Sequence, residues 1–249
     1  MDIWKYFAIG HEHHVFWNPL SEAKVDELIE LLALPDEAQV VDIGCGKAEF
    51  LVRTVRRWNC SAVGVDMSPY CVADARAKIE AAGLASAVEI VEANGSDYSA
   101  KPLSFDAAVC LGASWIWGGL EGTLRALSSY AIPGGLVLVG EPFWRTAPSR
   151  EHLEAAEFTE SSFGTHIGNI QTGLRMGLGL LHAVVSNEDD WDRYEGYQWY
   201  AAEKYSKHHR DDPDVRELLD KVRKSRDHYL EWGRKEIGWA VYLFVKDPS

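Results

Sequence analysis

The residues VVDIGCGKA at positions 40–48 set two valines, an aspartate and a glycine-bearing turn directly ahead of a helix start. β-Branched residues followed by Gly44 and Gly46 mark a buried strand that ends in a close backbone approach to a ligand, and a helix from about Glu49 aims amide donors at it. Such a turn can serve a dinucleotide, a nucleotide phosphate or a sulfonium cofactor. Two features narrow the choice. Asp66 closes the next apolar run, GVDMS, about 20 residues further on, where an acidic group can bind ribose hydroxyls; its alternative role is an N-cap ahead of Ser68 and Pro69. The dinucleotide fingerprint G-x-G-x-x-G requires its third glycine at position 49, where this chain has glutamate, and a carboxylate facing pyrophosphate is unfavourable.

Around this turn the sequence alternates short β-branched runs with helix-like segments from residue 38 to 141. The runs are QVVDI, SAVGVD, AVEIVEA, FDAAVCL and GLVLVGE, with helices expected over 49–58, 69–82 and 120–130 and stops at Gly83, Pro133, Gly134 and Gly135. This is the pattern of a parallel sheet covered by helices, an α/β Rossmann-like fold. Right-handed crossovers gather the strand C-termini on one edge, where open α/β sheets bind ligands. Ahead of the core, SEAKVDELIELLAL reads as a helix capped by Ser21. After it, GLGLLHAVVSN (177–187) and GWAVYLFVK (238–246) read as a sixth and a seventh strand. The expected organisation is a cover segment and helix over 1–37, a core of 38–187 and 237–249, and a helical, aromatic-rich insert over 188–236 that forms a lid between the last two strands.

Composition excludes several function classes. With 25 basic and 38 acidic residues the formal charge is −13, and the two basic stretches RTVRR (53–57) and KVRKSR (221–226) read as solvated helix faces, so a nucleic-acid partner is not expected. No apolar run reaches membrane-spanning length and the first residues lack the order of a signal peptide, so a soluble, cytoplasmic protein is expected. Cys45, Cys60, Cys71 and Cys110 fit no CxxC pattern and read as free thiols. The sequence carries no signal of oligomeric state.

Asp42 precedes Gly44 to give D-x-G-x-G, in which a carboxylate can attract the amino group of a bound amino acid. This resembles the first motif of the class I S-adenosylmethionine-dependent methyltransferases, with Ala48 in place of the usual third glycine. GVDMSPY resembles the family's ribose-binding turn, which implies Asp66 on the hydroxyls and Met67 against the adenine. VEANGSD puts Asn94, with Gly95 beside it, where the family often has an aspartate accepting from the adenine amine. FDAAVCLGASW resembles the fourth-strand motif, which implies Leu111 and Gly112 beside the methionine portion. CLGASWIWGG, GEPFWR, DDWDRYE and GWAVYLFV extend the resemblance over nearly the whole chain, towards a bacterial subgroup of small-molecule enzymes related to the ubiquinone and menaquinone methyltransferases. The resemblance implies S-adenosylmethionine as cofactor, S-adenosylhomocysteine as product, and methyl transfer to a nitrogen, oxygen or sulfur of a small metabolite. The rival readings are a non-catalytic S-adenosylmethionine-binding sensor or interaction module, a nicotinamide oxidoreductase, and a synthase using the cofactor for other chemistry.

Glu141, at the end of the fifth strand, is the candidate general base, against a structural role pairing with Arg145 or capping a turn. His11, His13 and His14 lie in a segment expected to cover the site. His13 or His14 is the one expected to touch substrate or act as base; the alternative is a solvated loop, and no metal site is expected. Trp115 and Trp144 follow strands at the ligand edge and, with Tyr194 and Tyr197 of the insert, are the candidate substrate-binding aromatics, against a role as ordinary core.

Overall fold

Gln39–Ile43 (β1) forms a strand because its valines and isoleucine can be buried on both faces of a central position. Val40 joins one core cluster, and Val41 and Ile43 join the other. Each such burial contributes about 1.5–3 kcal/mol. The computed structural model describes residues 1–247, in which α1 (Ile3–Gly10) and α2 (Glu22–Leu31) precede β1. The chain then alternates through α3 (Glu49–Trp58), β2 (Ser61–Asp66), α4 (Pro69–Ala81), β3 (Val88–Glu92), β4 (Phe105–Leu111), α5 (Leu120–Tyr130) and β5 (Ala131–Trp144). After α6 (Arg150–Ala156), β6 (Gly164–Thr165), α7 (His166–Arg175) and β7 (Leu178–Val185) come the long α8 (Glu188–His208), α9 (Val215–His228) and β8 (Ile237–Lys246).

The main sheet runs β3-β2-β1-β4-β5-β8-β7, with β6 paired to the end of β5. β3 to β5 are parallel through β1, whereas β8 is antiparallel to both β5 and β7. Helices α2 and α3 bury Val25, Leu28, Phe50 and Leu51 against one face, and α5 buries Leu124 and Leu127 against the other. The α/β Rossmann-like expectation therefore holds, with the two-residue β6 as an eighth strand. Ser21 caps α2 as expected by accepting from the Lys24 amide.

The structure departs from the sequence reading in several places. β5 begins at Ala131 and continues through Pro133–Gly135, its register with β4 shifting between Phe105 and Ala107 to absorb the irregular residues. Neither α6 nor α7 was expected. Nor was α1, although Asp2 supplies its N-cap by accepting from the Trp4 and Lys5 amides. The basic stretch from Arg53 is also less solvated than expected. Arg53 bonds Glu22, Asp26 and Glu49, and Arg57 bonds Glu30, which ties α3 to α2.

Helices α1, α8 and α9 share a small core of Ile9, Ala202, Leu218 and Val222. Asn187 and Asp190 form a capping box that starts α8. Lys5 adds ion pairs to Asp212 at 2.8 Å and Asp214 at 2.7 Å, each contributing at most about 1 kcal/mol in water. Among the described residues, no helix is long and apolar enough to cross a membrane.

Candidate functional site

A cavity of about 270 Å³ lies at the C-terminal ends of the parallel strands. Its floor comes from the sheet edge: Gly44 and Gly46 after β1, Val65 to Ser68 at the end of β2, Gly95 after β3, and Leu111 to Ala113 with Trp115 and Ile116 after β4. Its roof comes from the helical cover: Trp4 and Phe7 of α1, His11 and Trp17 after it, and Tyr194 of α8. Gly44 is obligatory, since its φ is +77° and a Cβ there would lie 2.7 Å from the Ala113 methyl. Ala48 fills the third-glycine position in the left-handed conformation, φ 56°, with its methyl buried.

Asp66 joins two turns. One carboxylate oxygen accepts the Gly46 amide and the other the Ser68 amide, both at 2.8 Å. Ser68, not Asp66, caps α4 by accepting the Cys71 amide. Burial raises the Asp66 pKa, and the Ser68, Gly46 and Met67 amides pull it back. The carboxylate thus stands on the cavity wall with its orientation fixed by backbone donors.

Beyond Gly44 and Gly46 a recess of about 40 Å³ is lined by Trp17, Asn18, Asp42 and Leu111. Three buried polar atoms here have no partner: Asp42 Oδ1, Asn18 Oδ1 and Trp17 Nε1. An unsatisfied buried polar atom costs about 1–3 kcal/mol, so the recess is built for a ligand that supplies the missing bonds. Two acceptors and one donor suit the ammonium and carboxylate of an amino acid. Burial first, and the Asp66 carboxylate second, push Asp42 up to about 8, as expected of a carboxyl awaiting a cation.

In the cover, His11 is 4% exposed and stacks on Trp17 at 4.4 Å. Its Nδ1 lies 2.9 Å from the Phe7 carbonyl and its Nε2 2.9 Å from the Tyr194 hydroxyl. Burial, the nearby His14 and Lys47 hold its pKa down to about 3, so the ring is neutral. His14 donates from Nε2 to the Tyr194 carbonyl at 2.8 Å, and burial lowers it to about 4.

Of the residues expected at the site, Gly44, Gly46, Asp66, Met67, Gly95, Leu111, Gly112, Trp115 and Tyr194 line the cavity, and Asp42 lines the recess. Several do not. His13, His14 and Tyr197 line a separate cavity of about 390 Å³ bounded by α2 and α8, so His11 is the histidine on the cavity wall. Asn94 closes a local turn by accepting the Ser96 amide, and only its neighbour Gly95 reaches the cavity. Trp144 is corrected outright. β5 runs past the cavity, so Trp144 is buried against Phe163 and His152 and donates to the Glu160 carbonyl at 2.9 Å. Glu141 is 7% exposed, beside Ser114 under the turn that carries Trp115, and is not among the lining residues. Its Oε2 lacks a partner and burial lifts it to about 7. Pairing with Arg145 is excluded, because that guanidinium bonds the Ile237 and Ser186 carbonyls.

Trp17 and Asn18 were missed. The available signal was HHVFWNPL, an aromatic and amide-bearing loop too polar for a helix, directly ahead of the capped α2.

Residues 40–135 match a family model described as a methyltransferase domain. The Escherichia coli (strain K12) protein YjhP is 29% identical over 98% of this chain and 99% of its own length. Two solved structures are similar over their full length. A S-adenosylmethionine-dependent methyltransferase from Geobacter sulfurreducens in complex with S-adenosylhomocysteine has a TM-score of 0.91 at 29% identity, covering 98% of both chains. One from Thiobacillus denitrificans, also in complex with S-adenosylhomocysteine, has a TM-score of 0.89 at 30% identity, covering 98% of this chain and 99% of that one. The chain belongs to the class I S-adenosylmethionine-dependent methyltransferases, enzymes whose cofactor is S-adenosylmethionine and whose product is S-adenosylhomocysteine. The residues present fit that cofactor: the Asp66 carboxylate on the cavity wall could take ribose hydroxyls, and the orphaned donor and acceptor atoms of the recess could take an amino-acid end.

Proposed function

We propose that this methyltransferase transfers a methyl group to a nitrogen, oxygen or sulfur of a small metabolite, within the cofactor site assigned as follows. The observation that carries the assignment is the set of orphaned atoms, Asp42 Oδ1, Asn18 Oδ1 and Trp17 Nε1, beside a wall that bears Asp66. Asp42 and Asn18 accept from the α-ammonium, and the Trp17 indole donates to the α-carboxylate. Asp66 takes the ribose hydroxyls on the lone pairs its backbone donors leave open. Met67, Gly95 and Ile116 hold the adenine, while Leu111 and Gly112 flank the methionine chain. Bound S-adenosylmethionine supplies a methyl on a positively charged sulfur, already a good leaving group.

The chain's own task is alignment and exclusion of water. Holding nucleophile and methyl in line is worth several kcal/mol or more, on the order of 7–11 for ideal geometry. Residues 1–37 and the insert 188–236 form the cover over the core of 38–187 and 237–249, whose last two positions lie outside the described residues. Trp115 and Tyr194 face the acceptor. Glu141 affects the reaction only through the Ser114 turn, as a positioning residue and not as a base. Four buried free thiols suit a reducing compartment, and the reading is of a cytoplasmic enzyme.

Titration calorimetry with S-adenosylhomocysteine, with NAD alongside, tests the assignment. Micromolar binding of the first, no binding of NAD, and a loss of at least about 100-fold in Asp66→Ala are expected, two hydroxyl bonds to a charged acceptor being worth about 1.5–3 kcal/mol each. Unchanged affinity in that variant would remove Asp66 from the site.

A further inference from the structure

We infer that the methyl acceptor is an uncharged molecule with an aromatic or apolar body that donates an O–H or N–H hydrogen bond to the Tyr194 hydroxyl, whose polarity is fixed by His11. The inference rests on the methyltransferase reading above and adds the chemical class of the acceptor to it.

The Phe7 carbonyl can only accept, so the His11 Nδ1 that lies 2.9 Å from it carries the hydrogen. A neutral imidazole has one N–H, and burial keeps this one neutral, so Nε2 presents a lone pair. The Tyr194 hydroxyl 2.9 Å away therefore donates its only proton to His11. What Tyr194 retains is oxygen lone pairs, which a ligand can meet only by donating. Carbonyl, imidazole and phenol thus form a one-way chain that ends in an acceptor at the cavity wall. Burial raises the phenol pKa, so the group does not ionise and does not serve as a base.

Charge on the acceptor is disfavoured by what else lines the wall. Among the described lining residues Asp66 is the sole carboxylate, and no lysine or arginine is present. Asp66 is committed to the Gly46 and Ser68 amides and to the ribose. An anionic acceptor meets no cation there. A cationic one meets no uncommitted carboxylate among the described lining residues, and burying an uncompensated charge costs far more than burying a neutral polar group. Trp4, Phe7 and Trp115 supply flat apolar surface instead.

The test uses protein saturated with S-adenosylhomocysteine and four ring probes, phenol, anisole, benzylamine and benzoate, with affinities measured by ligand-observed NMR. Phenol is expected to bind at least about tenfold more tightly than anisole, which has the ring but no donor, and than either charged probe; a factor of ten corresponds to about 1.4 kcal/mol. In Tyr194→Phe the preference for phenol over anisole disappears while S-adenosylhomocysteine affinity is retained. In His11→Phe the Tyr194 proton is released to face the cavity, so anisole gains and the ratio falls, a change that loss of packing alone does not produce. Equal binding of phenol and anisole, no binding of phenol, tighter binding of a charged probe, or a preference that survives in Tyr194→Phe overturns the inference. Failure of the wild-type protein to bind S-adenosylhomocysteine overturns the cofactor assignment instead, so the two failures are distinguishable.

Discussion

The floor and the roof of the cavity are built on opposite principles. The floor is local: Gly46 and Asp66, the two residues that close it, are 20 positions apart, and its shape comes from backbone turns at successive strand ends. The roof is assembled across the chain, with His11 and Tyr194 meeting from 183 positions apart. Asp42 on the floor and Trp17 and Asn18 in the loop after α1 keep orphaned polar atoms, whereas His11 and Tyr194 satisfy one another. In the reading proposed above, Asp42 and the turns at the strand ends meet the cofactor, and the aromatic groups of the cover meet the acceptor.

Removing the floor's orphaned charge gives the largest expected effect. Asp42→Asn should weaken S-adenosylhomocysteine binding by about 100-fold, the loss of one charged hydrogen bond in a dry site. The pH dependence has a definite sign. The Asp42 pKa is about 8 in the folded protein, above the ordinary carboxylate value of 3.8 that holds unfolded, so the folded state retains a proton that the unfolded state releases. Without ligand, stability is therefore highest below pH 4 as far as this group is concerned and declines as pH rises towards 8. The variant should be more stable than wild type by a few kcal/mol at pH 8 and indistinguishable near pH 4, at about 1.4 kcal/mol per pH unit crossed. Ligand affinity in the wild type should rise between pH 6 and 8 and stay flat in the variant. Parallel denaturation and calorimetry series read both quantities; a pH-independent wild type would mean that Asp42 is ionised without its cation.

Asn18 stands on the roof's side of the recess but shares the floor's task, so it sharpens the contrast. Asn18→Ala should cost about tenfold in S-adenosylhomocysteine affinity, one hydrogen bond to a charged group, and nothing for methylthioadenosine, which lacks the amino-acid end. Equal losses for both ligands would show that Asn18 merely supports the loop.

The smallest effect is expected at Ala48, where backbone and side chain oppose each other. Ala48→Gly relieves a left-handed alanine, about 1–2 kcal/mol, but removes a buried methyl, about 0.8 kcal/mol, and loosens the unfolded chain by about 0.4–1 kcal/mol. The net change should stay within about 1 kcal/mol, a melting shift of a few degrees at most in a scanning calorimeter. A larger shift of either sign would mean that the methyl, and not the backbone, sets the turn.

The same contrast explains what could be read from the sequence. The β1 turn, Asp66 and the bounds of α3 and α5 follow from residues adjacent in the chain, and they match. Glycines, caps and alternation act over a few positions. Residues of the roof, by contrast, depend on where α1 lands against α8, which no local pattern encodes. Without the orientation that α1 gives them, nothing in the spacing of His11, His13 and His14 distinguishes the one that lines the cavity. Trp144 was misplaced for a related reason. Strand order gives the edge at which a strand ends, but not that β5 extends to residue 144, three positions beyond Glu141, to meet β6. Glu141 was located correctly along its strand, yet its approach to the cavity depended on the turn after β4.

The strand order β5-β8-β7 also constrains how the protein is made. Among the described residues β7 pairs with β8 alone, and β8 is separated from it in sequence by the whole of α8 and α9. During synthesis, β5 and β7 therefore stand as open edges until residues 237–246 arrive to fill the gap between them. Pairing this distant in sequence is slow, and unpaired edges invite association with other chains. Helix α8, which adds Tyr194 to the roof begun by α1, emerges with α9 just before the closing strand, so the nascent chain completes its cavity cover and gains its last sheet edge in one late event.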